Sequence, residues 1–101
     1  MRRPVIWARE ALQELREQTE LIARDNPSAA RRVADRIRDA AKALGEVPTG
    51  RRGRVAGIYE KSLGRPPHII AYALRPMNGC ESVFIVHIIH TARDWPSGQW
   101  P

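Results

Sequence analysis

Along this chain the spacing of apolar residues changes three times. Val5-Ile6-Trp7 is an uninterrupted apolar run after Pro4 and predicts a short first strand. From Ala8 onward, Ala8, Ala11, Leu12, Leu15, Thr19 and Ile22 recur every three or four residues and mark one apolar face of a helix. No Ser or Thr caps that helix, where Trp7-Ala8-Arg9-Glu10 stands instead, an omission worth about 1 kcal/mol. Asp25-Asn26-Pro27 breaks the period. Asn26 suits an N-cap and Pro27 the first helical position, so a second helix starts there. Its apolar face is Ala30, Val33, Ala34, Ile37, Ala41 and Leu44, with Arg31 and Asp35 at i and i+4 on the solvent side. Gly45 reads as the residue just past its end, and Pro48 prevents continuation. The small alanines let the two helices close as an antiparallel hairpin.

Beyond Pro48 the period becomes that of strands. Pro48 to Arg54 is a basic, glycine-rich loop in which Gly50 and Gly53 permit close backbone approach. Val55 to Lys61 reads as a strand weakened by Gly57, Gly64-Arg65-Pro66-Pro67 as a turn, and His68 to Arg75 as a second strand. Asn78-Gly79 signals a hairpin, because both central positions of a type I′ turn need positive φ. The run from Ser82 to His90 is apolar at odd and even positions alike, so both its faces are expected to be buried and it should lie inside the sheet. By alternation His87 shares a face with Val83, Ile85 and Ile89 and reads as a half-buried, satisfied histidine. The order is β-α-α-β-β-β. The fold class is α+β, a helical hairpin on one face of a small, mainly antiparallel sheet, with the first strand beside the last.

Residues 1–101 suffice for one domain with a single core, stable by roughly 5–15 kcal/mol. No apolar stretch approaches the ~20 residues of a membrane span, and Met1-Arg2-Arg3-Pro4 lacks the apolar core of a signal peptide. The single cysteine, Cys80, has no internal disulfide partner, which fits a reducing compartment and points to the cytoplasm. No metal and no cofactor are expected. Net charge is +6, and the excess is concentrated late: residues 51–101 hold seven Lys or Arg against three Asp or Glu. That field favours nucleic acid or an acidic protein as partner. Its sources are Arg51, Arg52 and Arg54 within four residues, Arg65 on a turn, Arg75 ending a strand and Arg93 after the last strand. Guanidinium groups hold phosphates or carboxylates bidentately, and three crowded in one loop gain most from an anion; the alternative is a solvated charged loop. Trp95 and Trp100, flanked by prolines, read either as partner anchors or, for Trp95, as core packing against the hairpin.

The order of elements resembles the RelE/ParE superfamily of type II toxin-antitoxin toxins. The resemblance runs from Val5 to Pro96 and is carried by Trp7-Ala8, Leu12 and Leu15, Asn26-Pro27 with Ala29-Ala30, Ile37, Leu44, Pro48, Gly50-Arg51-Arg52-Gly53-Arg54-Val55, Tyr72, and His90-Thr91-Ala92-Arg93-Asp94-Trp95-Pro96. The arginine loop and the Arg-Asp-Trp-Pro ending are most similar to the ParE branch. The resemblance implies two possible chemistries. ParE-like members inhibit DNA gyrase and need no nuclease site. RelE-like members cleave messenger RNA on the ribosome, with lysines and arginines on the sheet and a tyrosine near the C-terminus.

RNA cleavage through a 2′-hydroxyl needs a base, an acid and cations for the transition state. No tyrosine follows Tyr72, and Trp95 and Pro96 stand where one would be needed. The weak nuclease candidates are Lys61, His90 and Arg93, with His68 less suited than His90. His90 reads first as the cap of a strand end, ahead of any acid or base role. The incomplete set favours gyrase inhibition, with neutralisation by a cognate antitoxin whose acidic or amphipathic segment folds across sheet and helices as a toxin-antitoxin hetero-oligomer. On this reading Arg51, Arg52, Arg54, Arg65, Arg75 and Arg93 bind the target, and Trp95 and Trp100 bind the antitoxin. Two alternatives remain open: a ribosome-dependent endonuclease, and a non-toxic basic nucleic-acid-binding module on the same fold.

Overall fold

A computed structural model describes residues 3–53, 55–63 and 68–90. Strand β1 (Val5–Trp7) leads into helices α1 (Arg9–Asp25) and α2 (Pro27–Glu46), and then come β2 (Arg51–Arg52), β3 (Tyr59–Leu63), β4 (His68–Met77) and β5 (Cys80–His90). The expected β-α-α-β-β-β order holds, with the two-residue β2 added. The sheet runs β1-β5-β4-β3-β2, parallel between β1 and β5 and antiparallel elsewhere. The long last strand therefore lies inside the sheet, beside the first, as its two-sided apolar pattern requires. The helices cover one face, and the core joins Ala11, Leu15, Val33, Ile37, Ala41 and Leu44 to Ile70, Tyr72, Val83, Ile85 and Ile88.

The helix ends follow local chemistry. Ala8 starts α1 without a side-chain cap, whereas Asn26 Oδ1 accepts the Ala29 N–H at 3.0 Å and Pro27 opens α2. Two helical readings need correction. Leu12, expected inside, is 48% exposed; the buried line of α1 runs through Ala11, Leu15 and Gln18, and Leu12 turns out of it. Gly45 does not end α2, which continues to Glu46 with Val47 as its cap residue. Gly45 is instead a contact point. The Arg3 N–H donates to its carbonyl at 2.7 Å, and a Cβ there would sit 2.7 Å from both Arg3 O and Val5 Cγ2.

The strands also differ from expectation in detail. Arg51 and Arg52, read as loop, pair with Glu60 and Tyr59. The strand expected from Val55 begins at Tyr59, because Gly57 takes φ +80° and the Ile58 N–H bonds back to Val55 O at 3.1 Å, closing a turn. Asn78 and Gly79, at φ 51° and 79°, make the expected hairpin between Met77 and Cys80. Ala71 pairs with His87 but Tyr72 with Ile85, which leaves Val86 as a bulge. The bulge reverses the alternation. Ile88, opposite Ile70, continues the face of Val83 and Ile85, in place of His87 and Ile89.

Strand β1 covers β5 only as far as the Ala8 N–H, which donates to Ile85 O at 2.9 Å. Beyond it, α1 supplies side chains in place of a strand. Glu14 Oε1 accepts the Ile88 N–H at 3.0 Å, and Gln18 Nε2 donates to Ile88 O at 2.9 Å. The Glu14 carboxylate also meets His87 Nδ1 at 3.1 Å. His87 is thus satisfied and half-buried as expected, although on a face set by the bulge.

Gly45→Ala tests the contact reading. Alanine favours a helix by about 1 kcal/mol, but overpacking against a backbone atom costs about 1–3 kcal/mol. A net loss of about 1 kcal/mol or more in urea unfolding is expected, whereas a glycine that merely ended the helix at negative φ would give a gain.

Candidate functional site

The arginine-bearing edge is fixed to the sheet by one buried phenol. Tyr72 lies in β4 at 1% exposure, and its Oη accepts the Gly50 N–H at 2.9 Å. Its ring stacks on Tyr59 at 5.6 Å between centroids. A Cβ on Gly50 would sit 2.6 Å from Tyr72 Oη, so only glycine lets the chain pass this close. Gly53 does the same on the next turn, donating its N–H to Ile58 O at 2.7 Å with Glu60 packed against its α-carbon. The close approach expected of both glycines is what holds Arg51 and Arg52 between them. Burial, followed by the neighbouring Tyr59, raises the Tyr72 pKa above 10.0, so the phenol stays neutral.

Residues directly opposite one another share a face of a sheet. Arg52 lies opposite Tyr59, which lies opposite Tyr72 on the helix side, while Arg51 lies opposite Glu60 and Ala71 on the open side. The two exposed arginines therefore straddle the sheet edge rather than crowd one loop. Arg75 is exposed on the open side of β4, with its guanidinium 4.6 Å over the Phe84 ring. The register thus puts Arg51 and Arg75 on one face and sends Arg52 to the other.

The nuclease candidates come together less well. Lys61 is opposite Ile70, and His90 is opposite His68 two residues further along β4. Both fall on the face of Ile70 and Ile88, which the helices cover; His90 lines a small pocket with Gln18, Leu21 and Ile22 of α1. His68, buried, meets the His90 ring edge-on at 5.0 Å. Arg75 is seven residues from His68 on the same strand, about 23 Å at strand rise. Arg54, Arg65, Arg93, Trp95 and Trp100 lie outside the described residues, as do Pro96 and the turn at 64–67. Among the described residues, no group of His, Cys, Asp and Glu could hold a metal ion, and no helix is long and apolar enough to cross a membrane. The Tyr72–Gly50 anchor escaped sequence reasoning, since its partners are 22 residues apart: Gly50 was legible as a point of close approach, but not what approaches it.

The helical hairpin on a β1-β5-β4-β3-β2 sheet recurs in a solved structure, the chromosomal ParDE TA system from P. aeruginosa. The TM-score is 0.77 over 87% of this chain and 95% of that one, and at 21% identity the likeness is one of fold. Sequence carries the relation further. The Sinorhizobium fredii protein Y4kP is 36% identical over 96 residues, 94% of this chain and 95% of that protein. Toxin RelE2 of Caulobacter vibrioides is 38% identical over 90 residues, 88% of this chain and 96% of that protein. The profile of the ParE toxin of type II toxin-antitoxin system, parDE, matches residues 5–95. The fold and these relatives define a toxin of the type II toxin-antitoxin class. Within that class, the chain belongs to the ParE toxin family.

Tyr72→Phe isolates the anchor. Loss of the acceptor for Gly50 N–H should lower stability by about 0.5–1.5 kcal/mol. The raised pKa adds a pH signature: the stability it contributes is present below pH 10.0, the ordinary tyrosine value, and is lost as pH rises through the higher folded value. Denaturation series above pH 10 should therefore fall more steeply for wild type than for the variant, and parallel curves would show that burial does not hold the phenol neutral; an unchanged stability of the variant at neutral pH would remove Tyr72 as the anchor.

Proposed function

We propose that this toxin acts in the cytoplasm by binding and inhibiting DNA gyrase, and that a cognate antitoxin neutralises it by forming a hetero-oligomer with it. The observation that carries this reading is the ParE profile match over residues 5–95, which spans every described element. The site geometry supports it. Lys61 on β3 and His90 at the end of β5 are half-buried and stand on strands separated by β4, while Arg51, Arg52 and Arg75 are exposed for binding. Arg54, Arg65 and Arg93 extend the proposed target surface, with Trp95 and Trp100 as antitoxin anchors. The antitoxin partner is inferred by analogy with the ParDE system whose chain shares this fold. A second reading, ribosome-dependent messenger-RNA cleavage, is favoured by the relative named Toxin RelE2.

The test is gyrase supercoiling with purified toxin, beside RNA integrity in a translating lysate. Inhibited supercoiling with intact RNA is expected; untouched supercoiling with cut RNA would establish the second reading. Replacing Arg51, Arg52 and Arg54 together by Ala should weaken inhibition about tenfold or more, since one charge-assisted hydrogen bond is worth about 1.5–3 kcal/mol. Antitoxin binding should survive that change. Undiminished inhibition would demote the arginine edge to solvated surface.

A further inference from the structure

The helix side chains that serve β5 leave one atom unserved. Gln18 Nε2 donates to Ile88 O at 2.9 Å, and because a carbonyl only accepts, that bond fixes which way round the amide sits. Gln18 Oε1 is thereby turned away from the strand. It is buried, on a residue only 7% exposed, and has no hydrogen-bond partner among the described residues. Buried acceptors are as a rule paired. The strand uses only the donor of this amide, so a partner for the oxygen has to come from elsewhere.

The same side chain lines a cavity of about 170 Å³, together with Leu21 and Ile22 of α1 and His90 at the end of β5. An apolar cavity of about 150 Å³ is enough for a benzene ring. Ile22 is packed against the core, while Leu21, 58% exposed, stands at the mouth and can swing aside. His90 supplies an aromatic wall, set in place by the buried His68 ring that meets it edge-on at 5.0 Å. No Lys, Arg, Asp or Glu is among the described lining residues, so the cavity matches neither a cation nor an anion. Water suits it poorly, because a buried water needs about two to four polar partners, and beyond Gln18 and His90 the lining is aliphatic.

We propose that this cavity binds a small, neutral, flat aromatic molecule carrying one N–H donor, of which indole is the simplest. The ring lies against Leu21, Ile22 and the His90 imidazole, and its N–H donates to Gln18 Oε1. An indole N–H donates without accepting, so it brings no new polar atom to be left unpaired between the aliphatic walls. The site stands on α1 and the end of β5, away from Arg51, Arg52 and Arg75, and does not depend on which target the toxin has. Because Gln18 ties α1 to Ile88, a molecule bound there joins helix and last strand and stabilises the folded chain by mass action.

The test titrates the purified full chain with indole and, in parallel, with indene, which keeps the shape and has a methylene in place of the N–H. Indole should give saturable NMR shifts at the Gln18 side-chain amide and the Leu21 and Ile22 methyls, with a dissociation constant of about 1 mM or tighter. It should bind about tenfold more tightly than indene, the worth of one buried acceptor satisfied. Leu21→Trp, at an exposed position and with fold checked by far-UV circular dichroism, plugs the mouth and should remove binding of both; if that variant fails to fold, the comparison of indole with indene in wild type still decides. Equal affinities for the two molecules, or no saturable shift below about 10 mM indole, overturn the proposal. Shifts that persist in folded Leu21→Trp place the ligand elsewhere and overturn it as well. Binding seen only after Trp95→Ala with Trp100→Ala would give the cavity to the chain's own indoles, and likewise overturns it.

Discussion

Everything in this fold leans on β5 having partners along both of its edges. Antiparallel β4 serves one edge along the whole strand, but β1 is only three residues long and serves the other as far as Ile85. Ile88 would then present a bare N–H and C=O inside the protein, at a cost of about 1–3 kcal/mol for each group left unsatisfied. Glu14 and Gln18, one turn apart on α1, meet that need with two hydrogen bonds spaced as a strand would space them. The substitution of helix side chains for a missing strand also fixes where α1 sits. It thereby fixes the angle at which the apolar faces of both helices reach Val83, Ile85 and Ile88.

At the opposite end of the sheet the same logic runs from side chain to loop. Tyr72 belongs to the core by burial, yet its hydroxyl reaches out of the core to the backbone of Gly50. The arginine edge is therefore tied to the core through Tyr72 as well as paired with β3 through Glu60 and Tyr59. A ligand meeting Arg51 and Arg52 meets groups whose backbone has already been ordered, so less conformational entropy is lost on binding. Because these two arginines face opposite sides of the sheet, their geometry matches a surface that wraps an edge better than one that lies on a face.

Much of this architecture was legible in the sequence, where local chemistry has one solution. Asn26-Pro27 opens a helix, Asn78-Gly79 makes a hairpin, and a strand apolar on both sides goes inside a sheet, and each did so. What was not legible depends on distant partners. Leu12 and Gln18 exchange the places their polarity suggests, because the carbonyl of Ile88 needs a donor and the period alone does not reveal it. Gly45 serves as readily for a close contact as for a helix end, and the choice was made by Arg3. The bulge at Val86 has no local signature, so the phase of His87 and Ile89 had to be seen. Arg51 and Arg52 become a strand only because Tyr59 and Glu60 are there to pair with them. At the candidate site, Arg51, Arg52 and Arg75 were named from charge alone, but which face each occupies is a property of register.

The inward place of β5 also sets a timetable. The bonds from Gln18 and Glu14 to Ile88 span 70 and 74 residues, and β1 pairs across a similar distance. While the ribosome is still adding those residues, on the order of 4–15 s at ordinary elongation speeds, the first strand and both helices are made before the sheet they close against is complete. The native sheet therefore closes only when the last strand slides in between its neighbours, and the first strand and helices wait for it.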